Sequence, residues 1–247
     1  MTIIYSIIIP AFNEELFLPE TLAHLQAAMD KIEDKAELIV VDNNSTDDTA
    51  KIAANCGARV VFEEVNQISK ARNAGAKVAK GEYLIFLDAD TNLNEKLIRS
   101  ALQALRSGVI CGGGTEVDLQ GEVSLLSRSF LNIWNVTSKT LNIAAGCFIF
   151  CLREAFESVN GFSEEVYASE EIWLSRRLRI WGKKRGMKFR IIASMPVYTS
   201  ARKLEWYSTG KLVLFYLPIL IFPPLVRVQY FCNSWYQRPG KHQKGQE

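Results

Sequence analysis

The sequence predicts an α/β fold with a largely parallel sheet. Three observations carry this: short β-branched runs ended by turn residues, intervening segments with apolar residues at helical spacing, and regular alternation of the two along the first half of the chain. Such alternation requires crossover connections, which are right-handed.

"IIYSIIIP" (3–10) is the first strand, closed by Pro10. "NEELFLPETLAHLQAAMDKI" (13–32) has helical spacing, with Pro19 confined to an early turn. "AELIVVD" (36–42) is the second strand. "STDDTAKIAANCG" (45–57) opens on a Ser/Thr/Asp cap and stops at Gly57. "ARVVFEE" (58–64) is a strand, "SKARNAGAKVAKG" (69–81) a helix, and "EYLIFLDAD" (82–90) a strand. "NEKLIRSALQALRSG" (94–108) is a helix and "VICGGGTEV" (109–117) a strand. After about residue 118 the rhythm breaks. A helical stretch near 122–140, a strand at "AGCFIFCL" (145–152), a helix at "SEEIWLSRRLRIWG" (169–182) and a strand at "KFRIIAS" (188–194) complete the ordered part. The expected division is one domain over 1–210, with a nucleotide-binding half to about 118 and an acceptor half over 119–210, then a tail over 211–247.

Composition narrows the chemistry. A chain of 247 residues can bury a core as one domain, and a net charge of +2 points to no polyanion such as a nucleic acid. The five cysteines are scattered without a CxxC pair, which fits a reducing cytosol. His24 and His242 are the two histidines, which excludes His-rich zinc sites and argues against Ser-His-Asp or Cys-His catalysis. The N-terminus has no basic n-region, so no cleaved signal peptide is expected.

"YLIFLDADTN" (83–92) runs apolar residues into two carboxylates. Residues two apart on extended backbone point the same way, so Asp88 and Asp90 project together from the strand's C-terminal end, where open α/β sheets bind ligands. A divalent cation with oxygen ligands, Mn²⁺ or Mg²⁺, would relieve their repulsion. A solvated acidic loop before the next helix is the plainer reading. "LIFLDADT" also resembles the nucleophile strand of haloacid-dehalogenase-type phosphatases, in which Asp88 would attack phosphorus and Asp90 act as acid/base. Here three strand–helix units precede the motif, and that family's later acidic pair is absent. "PAFNEE" lacks the glycines of a nucleotidyltransferase loop, and "GGGT" (112–115) matches neither a P-loop nor GxGxxG. A catalytically silent nucleotide-sugar-binding domain is the non-enzyme alternative.

"SIIIPAFNEE", "LIVVDNNSTDDTA", "ARNAGAKVAKGEYLIFLDADT" and "GCFIFCLREAFESVNGFSEEVYASEEIWLSRRL" together resemble a family 2 glycosyltransferase, from about residue 4 to residue 182. The resemblance implies a GT-A type fold with a mostly parallel central sheet and helices on both faces. It implies transfer of a sugar from a nucleotide-diphosphate donor to an acceptor hydroxyl, with inversion and a divalent metal. Asp90 would be the main metal ligand, with Asp88 reaching the ribose or the metal's water shell and Ala89 lying between them in the donor site. Pro10, Ala11, Asn13 and Glu14 would line the nucleoside pocket, and Asp42 would contact the nucleobase edge. Asn43, in "DNNS" where many relatives carry "DDGS", offers a donor and an acceptor and leaves the base open. Lys70 and Arg72 would reach the base or diphosphate, although each taken alone reads as a solvated helix charge. Arg202 sits where relatives place a basic contact to the diphosphate.

"YASEEIW" matches the family's acidic pair, making Glu171 or Glu170 the base that deprotonates the acceptor. The alternative is a helix start capped by Ser169 with two glutamates complementing its dipole. No QxxRW motif is present, so single transfer is expected rather than polymer synthesis. "LVLFYLPILIFPPLV" (212–226) is shorter than a membrane-spanning helix and is trailed by Arg227, Arg238, Lys241 and Lys244. It suits either a peripheral contact with the inner face of the cell membrane, near a lipid-linked acceptor, or an arm packed on the domain or in a dimer.

Overall fold

The computed structural model describes residues 2–121, 123–202, 222–232 and 236. Its eight strands form one sheet: β1 (Tyr5–Ala11), β2 (Ala36–Asp42), β3 (Arg59–Phe62), β4 (Tyr83–Leu87), β5 (Thr91–Asn92), β6 (Ile110–Gln120), β7 (Phe148–Leu152) and β8 (Lys188–Ser200). They lie in the order β3-β2-β1-β4-β7-β6-β8-β5. β1 pairs in parallel with β2 and β4, β2 with β3, and β6 with β8. β7 is antiparallel to both β4 and β6, and the two-residue β5 is antiparallel to β8. The sheet is therefore mostly parallel, with β7 and β5 reversed.

Among the described residues seven α-helices accompany it: α1 (Leu18–Met29), α2 (Thr49–Asn55), α3 (Ile68–Val78), α4 (Glu95–Arg106), α5 (Leu125–Leu141), α6 (Arg153–Ser158) and α7 (Glu170–Lys183). Alternate strand residues feed two cores, as the period of two requires. Ile7, Ile9, Val40, Ile85 and Leu87 pack with apolar residues of α1 and α4 on one face. Ile8, Ile39, Val41, Leu84 and Phe86 pack with α3, α6 and α7 on the other. Both faces are covered, which is why the central strands read as continuous apolar runs.

The sequence expectations shift at several ends. α1 starts only at Leu18, because Asn13 takes a left-handed φ of 52° and breaks the helical run; Pro19 lies in the first turn, where no N–H is required. β4 ends at Leu87, so Asp88 and Asp90 lie in the turn beyond it. The helix α6, the strand β5 and the extension of β8 to Ser200 were not anticipated. The glycines of "GGGT" serve packing within β6: a Cβ on Gly113 would collide with the Arg190 carbonyl of β8.

α3 lies unusually close to the sheet at Gly75, where a Cβ would fall 2.4 Å from Ile8 Cγ2 and 2.9 Å from Val41 Cγ2. This approach sets the depth at which the α3 side chains enter the site. Gly75→Ala is expected to cost about 1–3 kcal/mol through overpacking, read as a lowered urea midpoint with an unchanged m-value.

Candidate functional site

The C-terminal ends of β1, β2 and β4 meet the N-terminal ends of β7 and α7 at one edge of the sheet. The reversed β7 makes this possible, since it brings Gly146 and Cys147 alongside Asp88, whose N–H donates to the Cys147 carbonyl (3.2 Å).

Arg72, on α3, is the centre of the arrangement. It is fully buried, correcting the expectation of a solvated helix charge. Its Nη1 donates to Glu170 Oε1 (2.6 Å), and its Nη2 donates to Asp88 Oδ1 (2.8 Å) and the Gly146 carbonyl (2.8 Å). The guanidinium also stacks 5.1 Å from the Phe162 ring centroid. Burial would pull its pKa down, but Asp88, Glu170 and Glu171 outweigh that and keep it charged. Lys70, two residues earlier, is half-buried.

The rest of α3 holds the segment leading to α7. Asn73 pairs with the backbone of Phe162 in both directions (Nδ2 to the carbonyl 3.0 Å, Oδ1 from the N–H 2.9 Å). Gln67 Nε2 donates to the carbonyls of Glu164 (2.8 Å) and Val166 (3.0 Å). Gln67, Asn73 and Gly146 were missed in the sequence, where no local pattern signals them: the partners of Gln67 lie 97 and 99 residues away, that of Asn73 89, and Gly146 is 74 from Arg72.

At the start of α7, Glu170 is 4% exposed and consumed by Arg72, whereas Glu171 is half-buried beside Gly146. Burial, then the charge of Glu170, push the Glu171 carboxyl up to about 8. Ser169 does not cap the helix through its side chain; it stands at a φ of 62°, a strained left-handed conformation for a non-glycine residue.

Arg202 forms a second hub from the far end of the described domain. Its Nη1 and Nη2 pair bidentately with the buried Glu14 (2.5 and 2.6 Å), and its Nε lies 2.9 Å from Asp90 Oδ2. Glu14, expected in the nucleoside pocket, is thereby engaged in an ion pair. Asn13 accepts from the Thr46 N–H (2.8 Å) and Asp42 from the Ser45 N–H (3.0 Å), so both shape the β2–α2 loop. Asn43 is buried, with its amide donating to the carbonyls of Val65 (2.5 Å) and Glu63 (3.3 Å). It ties β2 to the chain after β3 rather than presenting that amide to a nucleobase. Pro10 and the buried Ala11 end β1 as expected, and buried Ala89 accepts from Thr21 Oγ1 (2.8 Å).

The donor set suits a hard cation. Asp88 and Asp90 supply two carboxylates, and among the described residues no cluster of three His, Cys, Asp or Glu side chains surrounds a single point. An ion held here must draw most of its shell from water and substrate oxygens, as Mn²⁺ or Mg²⁺ does with phosphates. With Glu171 set aside, the formal charges of Glu14, Asp88, Asp90 and Glu170 exceed those of Arg72 and Arg202 by two.

Of the apolar run 212–226, residues 212–221 lie outside the described residues. Residues 222–232 form two short 3-10 turns (Pro223–Arg227 and Gln229–Cys232). The Val226 carbonyl accepts from the Tyr167 N–H (2.6 Å), and Tyr236 Oη donates to the Tyr167 carbonyl (2.6 Å). This part of the tail packs on the segment that enters α7.

This α/β domain, with paired acidic residues beyond a strand end and a second acidic pair at the start of a helix, has a GT-A type fold. The chain belongs to glycosyl transferase family 2, whose family model matches residues 6–159. It is similar to an uncharacterized glycosyltransferase of Mycobacterium tuberculosis, 38% identical over 89 residues, which is 36% of this chain and 38% of that protein. It is similar also to the undecaprenyl-phosphate 4-deoxy-4-formamido-L-arabinose transferase of Aeromonas hydrophila, 33% identical over 110 residues, 42% of this chain and 34% of that protein. The matched stretches thus span little more than a third of either relative. Among solved structures it resembles a Pyrobaculum calidifontis mannosyltransferase in complex with GDP-mannose and Mn²⁺ (TM-score 0.64, 19% identity, 94% of this chain and 69% of that one), a likeness of fold.

Removing Arg72 would strand the buried Glu170 carboxylate. Arg72→Met is expected to destabilise the protein by about 3–5 kcal/mol. Adding Glu170→Gln should recover part of that loss, as a double-mutant cycle in urea would measure.

Proposed function

We propose that the protein transfers a single sugar from a nucleotide-diphosphate donor to an acceptor hydroxyl with inversion. The observation that supports this most is that Arg72 ties Asp88, in the acidic turn after β4, to Glu170, the neighbour of Glu171 at the start of α7, in a family 2 chain.

Asp90 and Asp88 would hold Mn²⁺ or Mg²⁺, which when bound neutralises charge developing on the departing diphosphate. Arg202, already beside Asp90, adds a cation on the same side. Pro10, Ala11 and Asp42 form the floor on which the nucleoside rests, with Asn13 and Asn43 shaping its walls; Lys70 lies on α3 near that edge. Glu171 acts as the base, and Glu170 positions it by fixing Arg72. A carboxyl raised to about 8 binds a proton far more readily than an ordinary carboxylate, as a general base near neutrality should. The acceptor is lipid-linked in this reading, supported by the undecaprenyl-phosphate relative, and the contact with the membrane is peripheral. No described helix is long and apolar enough to cross a membrane.

A donor panel assayed for nucleoside diphosphate release, with Mn²⁺, Mg²⁺ or chelator, tests the reading. Asp90→Ala should abolish metal-dependent turnover with a native circular dichroism spectrum; equal wild-type activity in chelator and Mn²⁺ would rule out the metal role.

Glu171→Gln should lower kcat by about 10²–10⁴ with donor affinity nearly unchanged. In the wild type, kcat/KM should rise with pH until the carboxyl has lost its proton near pH 8, then level off. Glu170→Gln removes the like charge that raises Glu171, so its profile should shift to lower pH with a smaller loss of rate. An unshifted Glu170→Gln profile with a collapsed rate would exchange the two roles.

A further inference from the structure

One helix of the domain turns its apolar side outward. On α5, Leu125, Leu126, Phe130, Ile133, Val136 and Leu141 are all exposed, from 48% for Leu141 to 86% for Leu125, and Ser138 is its one buried residue. At 100° per residue these six fall within one arc of the helix, interrupted by Ser129, Thr137 and Thr140 but by no charge. The helix carries no carboxylate; its charged residues, Arg128 and Lys139, lie together to one side of the arc. Leu131, across the helix from the arc, and Trp134, at its edge, pack toward the core and anchor it. A water-facing arc of this composition marks an interaction surface.

The partner's chemistry follows from what adjoins the arc. Leu141, its last residue, also lines a groove of about 810 Å³ between the end of α5, the outer face of α7 and the start of β8. Arg176, Arg179, Lys183, Lys188 and Arg190 line that groove and are all exposed. Ile172, Ile180 and Phe189 contribute apolar lining, and no lining residue is acidic. A second copy of the chain would have to present a carboxylate-rich counterpart, and the α5 arc facing its own twin would bring Arg128, Lys139 and the groove cations of both copies together. An anionic bilayer meets both requirements at once, taking the apolar arc at the acyl boundary and the cations at its phosphates.

We propose that the outward face of α5 and the basic groove at its C-terminal end form a docking surface for an anionic lipid bilayer. This deepens the lipid-linked reading of the acceptor, and its test is independent of turnover. The groove runs along α7, whose first turn carries Glu171, so docking here keeps the helix bearing the base close to the lipid phosphates.

Full-length protein is incubated with phosphatidylglycerol/phosphatidylcholine vesicles or pure phosphatidylcholine vesicles and sedimented. The wild type should pellet with the anionic vesicles, release as salt rises, and bind phosphatidylcholine weakly. Phe130→Ser with Ile133→Ser, and separately Arg176→Glu with Lys183→Glu, should each lower partitioning by about tenfold or more. Melting temperatures close to wild type would certify the fold of each variant, and none of the four residues belongs to the candidate active site. Wild-type protein that does not pellet with anionic vesicles, or variants that pellet like wild type, would overturn the proposal. So would a concentration-dependent dimer that dissociates on Phe130→Ser, which would assign the arc to a second copy. Vesicle binding together with inactivity on every donor would retain the docking surface and reject the transferase reading.

Discussion

The site depends on a buried guanidinium. Arg72 is fully buried, so its charge is tolerable only while Asp88 and Glu170 stay in place, and each of those carboxylates is held where it is by the same arginine. Asp88 follows β4 and Glu170 opens α7, 98 residues beyond Arg72. A mutual requirement among three groups thus fixes the distance between the donor-side acidic turn and the acidic helix. Packing enforces it: Gly75 lets α3 sink against β1, and Asn73 and Gln67 pin the chain that leads into α7.

Arg202 repeats the device at the neighbouring acid. Two carboxylates two residues apart would repel, and here each faces a different arginine. The relief expected from a cation is therefore supplied first by the protein. What is left over is a formal deficit of two positive charges, which suits a divalent ion arriving with an anionic substrate better than one held permanently.

Much of the fold was legible because local signals agreed with one another. β2 runs from Ala36 to Asp42 as the apolar run indicated, and α4 begins after Asn94, whose side chain caps the Leu97 N–H. The second half was less legible, since the reversal of β7 leaves no mark on its apolar sequence, and a two-residue strand such as β5 carries no periodicity. The site was legible as a set of residues and illegible as a network. Arg72 reads as a surface charge because helical charges are usually solvated, and only tertiary packing removes it from water. Asn43 and Glu14 were read as ligand contacts, yet their partners lie 20 or more and 188 residues away, beyond any local pattern.

The long reach of Arg202 has a consequence for biosynthesis. Glu14 leaves the ribosome 188 residues ahead of the arginine that neutralises it. At roughly 5–20 residues per second, about 10–40 s of translation separate the two. Through that interval β1, β2 and β4 can pair and bury their apolar faces, while Glu14 and Asp90 at the edge they create wait in water without Arg202. The nascent domain therefore acquires its scaffold early and its electrostatic closure last, which keeps the half-made site hydrated until the whole of it can be sealed.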